Sequence, residues 1–159
     1  MAVVCHELGH WANMDIVRML AIQISSIFFI FYLFSHATSD LNMPRDFGFI
    51  DPKQDSMFIR LMIFMMMIEP INFLLGIIST LHTRSREFAA DRYSIEMGFG
   101  VHLKTGLIKV NNNNSAHLNP DRLYAKLKYS HPALVERIDA IEEHMEVVAK
   151  LDNNYKKQE

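Results

Sequence analysis

Two long apolar runs dominate the pattern of the chain. Met19 to Phe34 (MLAIQISSIFFIFYLF) carries no charge, with Gln23, Ser25 and Ser26 as polar breaks, and Ile16 and Val17 extend it upstream around Arg18. Met57 to Leu81 (MFIRLMIFMMMIEPINFLLGIISTL) is longer but interrupted by Arg60, Glu69, Pro70 and Asn72. Roughly 20 apolar residues span a bilayer as a helix, so 16–34 and 57–81 are expected to be transmembrane helices. The interruptions suit a helix facing protein or a wet cavity rather than lipid on every side. Burial of both runs in a soluble core fits less well, because soluble helices seldom carry FFIFYLF and IFMMMI on all faces. The first run starts late and has no small-residue cleavage site, which argues against a signal peptide.

Residues 35–56 hold four aspartates, two prolines and a glycine, the composition of a connecting loop, so the two runs form a hairpin. Beyond Leu81 the chain turns polar and helical patterns continue. A helix carrying Glu87 extends through Tyr93 to Met97 and is stopped by Gly98 and Gly100. His102 to Val110 reads as a short helix, Asn111 to Asn114 as a loop tip, Asn119-Pro120-Asp121 as a cap and Arg122 to Tyr129 as another helix. Ser130-His131-Pro132 opens the last helix, with proline in its first turn and Leu134, Ile138, Ile141, Met145 and Val148 along a core-facing stripe. The fold class expected is therefore all-α and integral to the membrane.

Charge orients the hairpin. Twelve of the 16 Lys and Arg residues follow Leu81, whereas the loop holds only Arg45 and Lys53, so the positive-inside rule puts both chain ends in the cytosol and loop 35–56 in the lumen. Sixteen basic against 18 acidic residues give no basic field, and nucleic acid is excluded as a partner. Membrane lipid is the expected surrounding. The single Cys5 rules out a disulfide framework and a Cys-only zinc site, so any metal must be held by His and carboxylates.

His6-Glu7-Leu8-Gly9-His10 supplies that chemistry. Positions four apart on a helix share a face, so both imidazoles can bind one zinc while Glu7 reaches a water on the metal. A catalytic zinc takes a third protein ligand and keeps its fourth position open. The best candidate is Glu87 in RSREFAAD, because a hairpin returns the chain to the side it left, beside His6 and His10. Asp91, one turn after Glu87, is placed to orient a ligand imidazole. A solvated Glu87 flanked by Arg84 and Arg86 is the plain alternative. Arg137 is placed either to pair with a supporting acid or to hold a substrate carboxylate, or is an ordinary surface arginine.

HELGHW, an apolar hairpin, R-x-x-E-F-x-A-D and YSHPALVERI, in that order, resemble the type I CAAX prenyl proteases. The resemblance covers nearly the whole chain and implies a multi-pass zinc metalloendopeptidase of the endoplasmic reticulum membrane. Such an enzyme removes the C-terminal tripeptide of prenylated CAAX proteins at a site facing the cytosol. Residue by residue, it implies one Zn2+ per chain on His6, His10 and Glu87. It also implies Glu7 as general base, Asp91 as supporting acid and His131 at the reaction centre, stabilising the oxyanion.

Members of that family carry further membrane helices before HELGH, and here only Met1 to Cys5 precede it. The expectation is a match to the C-terminal third of such an enzyme, with the upstream helices as missing partners. Two alternatives follow: a quality-control zinc protease of the same superfamily that clips misfolded membrane proteins, and a truncated, non-catalytic membrane fragment. YSHP favours the prenyl protease over the first. Lys156 and Lys157 in the terminal KKQE match the spacing of a dilysine retrieval signal or form an ordinary solvated tail.

Overall fold

The computed structural model describes residues 1–49, 56–114 and 120–155. Seven helices and no strand occur among them: α1 (Ala2–Ala12), α2 (Asp15–Ser39), α3 (Met43–Asp46), α4 (Met57–Glu96), α5 (Gly100–Asn114), α6 (Arg122–Lys128) and α7 (Leu134–Tyr155). The all-α expectation holds. The chain divides into two compact units, one of residues 1–16 with 78–159 and one of residues 17–77.

Within the second unit, the segments of α2 and α4 pack through a narrow apolar seam. Ile63, Phe64 and Ile68 of α4 are buried, Phe34 meets Phe64 edge to face at 5.3 Å, and Met43 of α3 is buried as well. Arg60 donates from Nη1 to the carbonyl of Thr38 at 2.9 Å, near the α2 C-terminus, where carbonyls lack helical partners. The remaining faces are mostly apolar and uncovered: Phe28, Phe31, Tyr32, Phe58 and Met66 are all more than 60% exposed. Both α2 and α4 contain stretches long and apolar enough to cross a membrane.

The other unit has an inside of the usual kind. Ala2, Ile95, Leu103 and Ile141 form its core, with Phe99, Leu107, Met145 and Val148 packed against it. The stripe expected on the last helix is thus seated through Ile141, Met145 and Val148. At Gly9 the backbone of α1 lies almost on that of α4: a Cβ there would stand 2.9 Å from Ala90 Cα and 3.1 Å from Ala90 O. Small residues permit this approach, since Ala90 and Ser94 are fully buried and Ser94 Oγ donates to Ala2 O at 3.4 Å.

Several boundaries differ from the sequence expectation. The motif helix, expected over residues 1–15, ends at Ala12, and Met14, at φ 55°, turns the chain so that Asp15 starts α2. Residues 35–39 and 43–46 of the expected loop are helical, while 50–55 lie outside the described residues. The second apolar run and the Glu87 helix are one 40-residue helix, because no glycine or cap separates them. Gly98, at φ 84°, ends α4 with Gly98 N donating to Ile95 O and Phe99 N to Ser94 O. Gly100 does not stop a helix but begins α5. Asn111 to Asn114 form the last turn of α5 rather than a loop tip, and Pro132 precedes α7, which starts at Leu134. Asp121 caps α6 as expected, accepting from Tyr124 N at 2.8 Å. Asn119 and the KKQE terminus lie outside the described residues.

Candidate metal centre

The α1–α4 approach at Gly9 sets the geometry. His6 and His10, one turn apart, present their rings toward α4, where Glu87 and Asp91 are likewise one turn apart. His6 Nε2 lies 3.6 Å from Glu87 Oε2, and His10 Nε2 lies 3.5 Å from Glu87 Oε1. One donor atom from each of the three residues falls within 4.8 Å of the others. Two donor atoms each about 2.1 Å from a tetrahedral metal are about 3.4 Å apart, so these separations suit a shared cation and are long for direct hydrogen bonds. Two imidazoles and a carboxylate are also a donor set that catalytic zinc uses. The residues present fit such an ion.

Each imidazole is backed by a carboxylate on its other nitrogen. His6 Nδ1 lies 2.9 Å from Asp91 Oδ1, a contact with the distance of a hydrogen bond but not its alignment. His10 Nδ1 is hydrogen-bonded to Asp15 Oδ2, also at 2.9 Å. Asp15 carried no sequence signal, because its position outside the motif reveals nothing of the turn at Met14 that folds it back.

Arg137 joins the centre from α7. It is buried and forks onto Asp91, with Nε to Oδ2 at 2.8 Å and Nη2 to Oδ1 at 2.6 Å, while Nη1 lies 3.1 Å from Glu87 Oε2. Of the options open from sequence, pairing with a supporting acid is the one observed. Burial alone would raise the Asp91 pKa, but the contacts from His6 and Arg137 and the Arg137 charge outweigh it and hold the carboxyl below its ordinary value.

His131 is 67% exposed and reaches the same cluster, its Nδ1 3.2 Å from Glu87 Oε1. Arg84 pins the segment that carries it. Its Nη1 donates to the carbonyls of Ala125 and His131, both at 3.3 Å, and its Nη2 pairs with Glu136 Oε2 at 2.5 Å. Glu136 in turn accepts from Ala133 N at 3.2 Å. Arg86 lies 3.6 Å from Asp15 Oδ1, so both arginines flanking Glu87 have other partners and Glu87 is buried, not solvated. Glu7 lies on the exposed side of α1. A cavity of about 790 Å³ bounded by Leu107, Val110, Tyr129, His131, Leu134 and Arg137 adjoins this cluster.

The sequence pattern of Peptidase family M48 matches residues 1–145. The chain belongs to that family. Among its M48 relatives, CAAX prenyl protease 1 of Saccharomyces cerevisiae is 31% identical over 153 residues, which cover 89% of this chain and 34% of that protein. CAAX prenyl protease 1 homologs of Arabidopsis thaliana and Homo sapiens are each 34% identical, over 142 and 141 residues. Each match covers 89% of this chain, with 32% of the plant protein and 30% of the human one. The crystal structure of S. mikatae Ste24p superposes with a TM-score of 0.75 at 32% identity, covering 88% of this chain and 35% of that one. The M48 chain thus spans about a third of the length of the curated relatives it matches.

Proposed function

We propose that this chain forms the zinc centre of a membrane metalloendopeptidase that removes the C-terminal tripeptide of prenylated CAAX proteins. The observation that carries the reading is the convergence of His6, His10 and Glu87, at separations suited to one cation, in an M48 chain similar to proteins called CAAX prenyl protease 1.

His6, His10 and Glu87 hold the ion. Zinc bound there would supply Lewis acidity and would lower the pKa of a water toward neutrality. Glu7 takes the proton of the attacking water on its carboxylate and returns it to the leaving amine. Asp91, held by the Arg137 fork, keeps the His6 ring in place. His131, exposed beside Glu87, offers a ring N–H to the oxyanion of the scissile carbonyl.

Residues 16–34 and 57–81 cross the membrane of the endoplasmic reticulum, with loop 35–56 in the lumen and the centre facing the cytosol. The large aromatic side chains left uncovered on the 17–77 unit support lipid or further helices around it. The excess of Lys and Arg after Leu81 supports the orientation.

The test uses a chimera in which this chain replaces the matching third of the yeast relative, assayed on a farnesylated CAAX peptide. The chimera is expected to cleave it with one zinc bound. Glu7→Gln is expected to keep the zinc and lose turnover, since the amide preserves shape but accepts no proton. Equal loss of zinc and turnover makes Glu7 structural, and retained turnover removes it as the base.

A further inference from the structure

Asp15 lies outside the HELGH motif and on a different helix, yet it is among the most buried charged residues described, at 3% exposure. We infer that Asp15 is a positioning residue for His10, the counterpart on the second imidazole of what Asp91 does for the first, and that the α1–α2 corner is shaped to deliver it. This rests on the metal-centre reading given above.

Three observations carry it. The hydrogen bond between His10 Nδ1 and Asp15 Oδ2 is 2.9 Å long and better aligned than the contact of His6 with Asp91. With Nδ1–H given to a carboxylate, the lone pair of His10 is left on Nε2, the atom that points at Glu87. Second, an acid at the start of a helix ordinarily turns to that helix's own free N–H groups. Asp15 does not: its Oδ2 is committed to His10, and its Oδ1 has no hydrogen bond and faces Arg86 at 3.6 Å. Third, the corner is strained in the sense that serves this contact. Met14 takes φ 55°, a conformation uncommon for a residue with a side chain, while Asn13 Nδ2 donates to Gly9 O at 2.8 Å and closes the end of α1. The reversal brings a residue five positions on back to the His10 ring. Arg86 is adjacent to Glu87 in α4, so the Asp15 carboxylate lies between the helix of one candidate ligand and the chain of another.

The experiment measures zinc affinity by chelator competition on the full chain in detergent micelles, for the unsubstituted protein, Asp15→Ala and Asp15→Asn. Helicity and the visible bands of the Co2+ form are recorded alongside. Loss of a partner behind a ligand histidine typically costs about 10–100-fold in metal affinity, and Asp15→Ala is expected in that range with altered Co2+ bands and unchanged helicity. Asp15→Asn keeps an oxygen that accepts from Nδ1–H and is expected between the two. Affinity and bands equal to those of the unsubstituted chain in Asp15→Ala overturn the inference, as does loss of helicity in both variants. An unsubstituted chain that takes up no zinc overturns the metal-centre reading itself, a result distinct from either.

Discussion

Both units of this chain bury apolar residues, but only one of them also buries charge. In the unit of residues 1–16 and 78–159, His6, Asp15, Arg84, Glu87, Asp91 and Arg137 are all buried, whereas in residues 17–77 the buried side chains described are apolar and so is most of the exterior. Burying a charge is costly unless a partner and hydrogen bonds replace water, and the first unit meets that condition by fork and clamp: Arg137 on Asp91 and Glu87, Arg84 on Glu136 and two carbonyls. In the second unit an exterior carrying Phe28, Phe31 and Phe58 is tolerable only where the surroundings are themselves apolar. One region therefore adds paired charge to an apolar core, and the other depends on an apolar setting.

The largest effect expected on this contrast comes from Arg137→Ala. Removing the guanidinium leaves the Asp91 and Glu87 carboxylates buried without their shared partner, and breaking a buried pair in this way costs about 3–5 kcal/mol. Lysine cannot fork across two oxygens, so Arg137→Lys should recover only part of the loss. Thermal unfolding of the metal-free chain checks both. A loss under about 1 kcal/mol would mean that the pairing behaves like a surface ion pair and that the contrast between the units is shallower than their burial implies.

Phe31→Lys tests the other side. Phe31 is 64% exposed on α2, so in water the change touches nothing and should be close to neutral. Near the centre of a membrane-spanning helix the same lysine costs about 2.5–3.5 kcal/mol of insertion free energy. The fraction of chain retained in membranes after alkaline carbonate extraction reads the difference. Undiminished retention would remove lipid as the partner of that face.

How much of this was legible in the sequence divides along the same line. The apolar runs announced α2 and α4, because a helix in lipid needs apolar residues over its whole length and local composition records that directly. His6, His10, Glu87, Asp91 and His131 were singled out by motif and resemblance, and the structure gathers all five in one cluster. Asp15 and Arg84 were not singled out, since their partners are distant or reached through a backbone turn. Hydrophobic periodicity also placed the α7 stripe, but it could not tell that Asn111 to Asn114 would complete α5, because asparagine has only a weak preference against helix that neighbouring turns override.

Gly9 had no reading of its own at the sequence level, since the motif leaves its position unspecified, and it gives the smallest of the expected effects. Only a hydrogen occupies the space between α1 and α4 there. An alanine Cβ would meet Ala90 Cα at 2.9 Å, Ala90 O at 3.1 Å and Tyr93 Cβ at 3.1 Å, and the nearest of these belong to backbone that has no rotamer to change. The helices must therefore part by a few tenths of an ångström, at the usual cost of overpacking, about 1–3 kcal/mol. His6 and His10 ride on the same rigid helix as Gly9, while Glu87 and Asp91 ride on the other, so the parting also lengthens the separations of 3.5 and 3.6 Å between donor atoms. Gly9→Ala should lower the unfolding temperature modestly and weaken zinc binding together, with no change in membrane retention. Zinc affinity that stays intact while stability falls would show that the donors adjust independently of the helix backbones, and that paired charge, rather than the close approach of α1 to α4, sets the geometry of the centre.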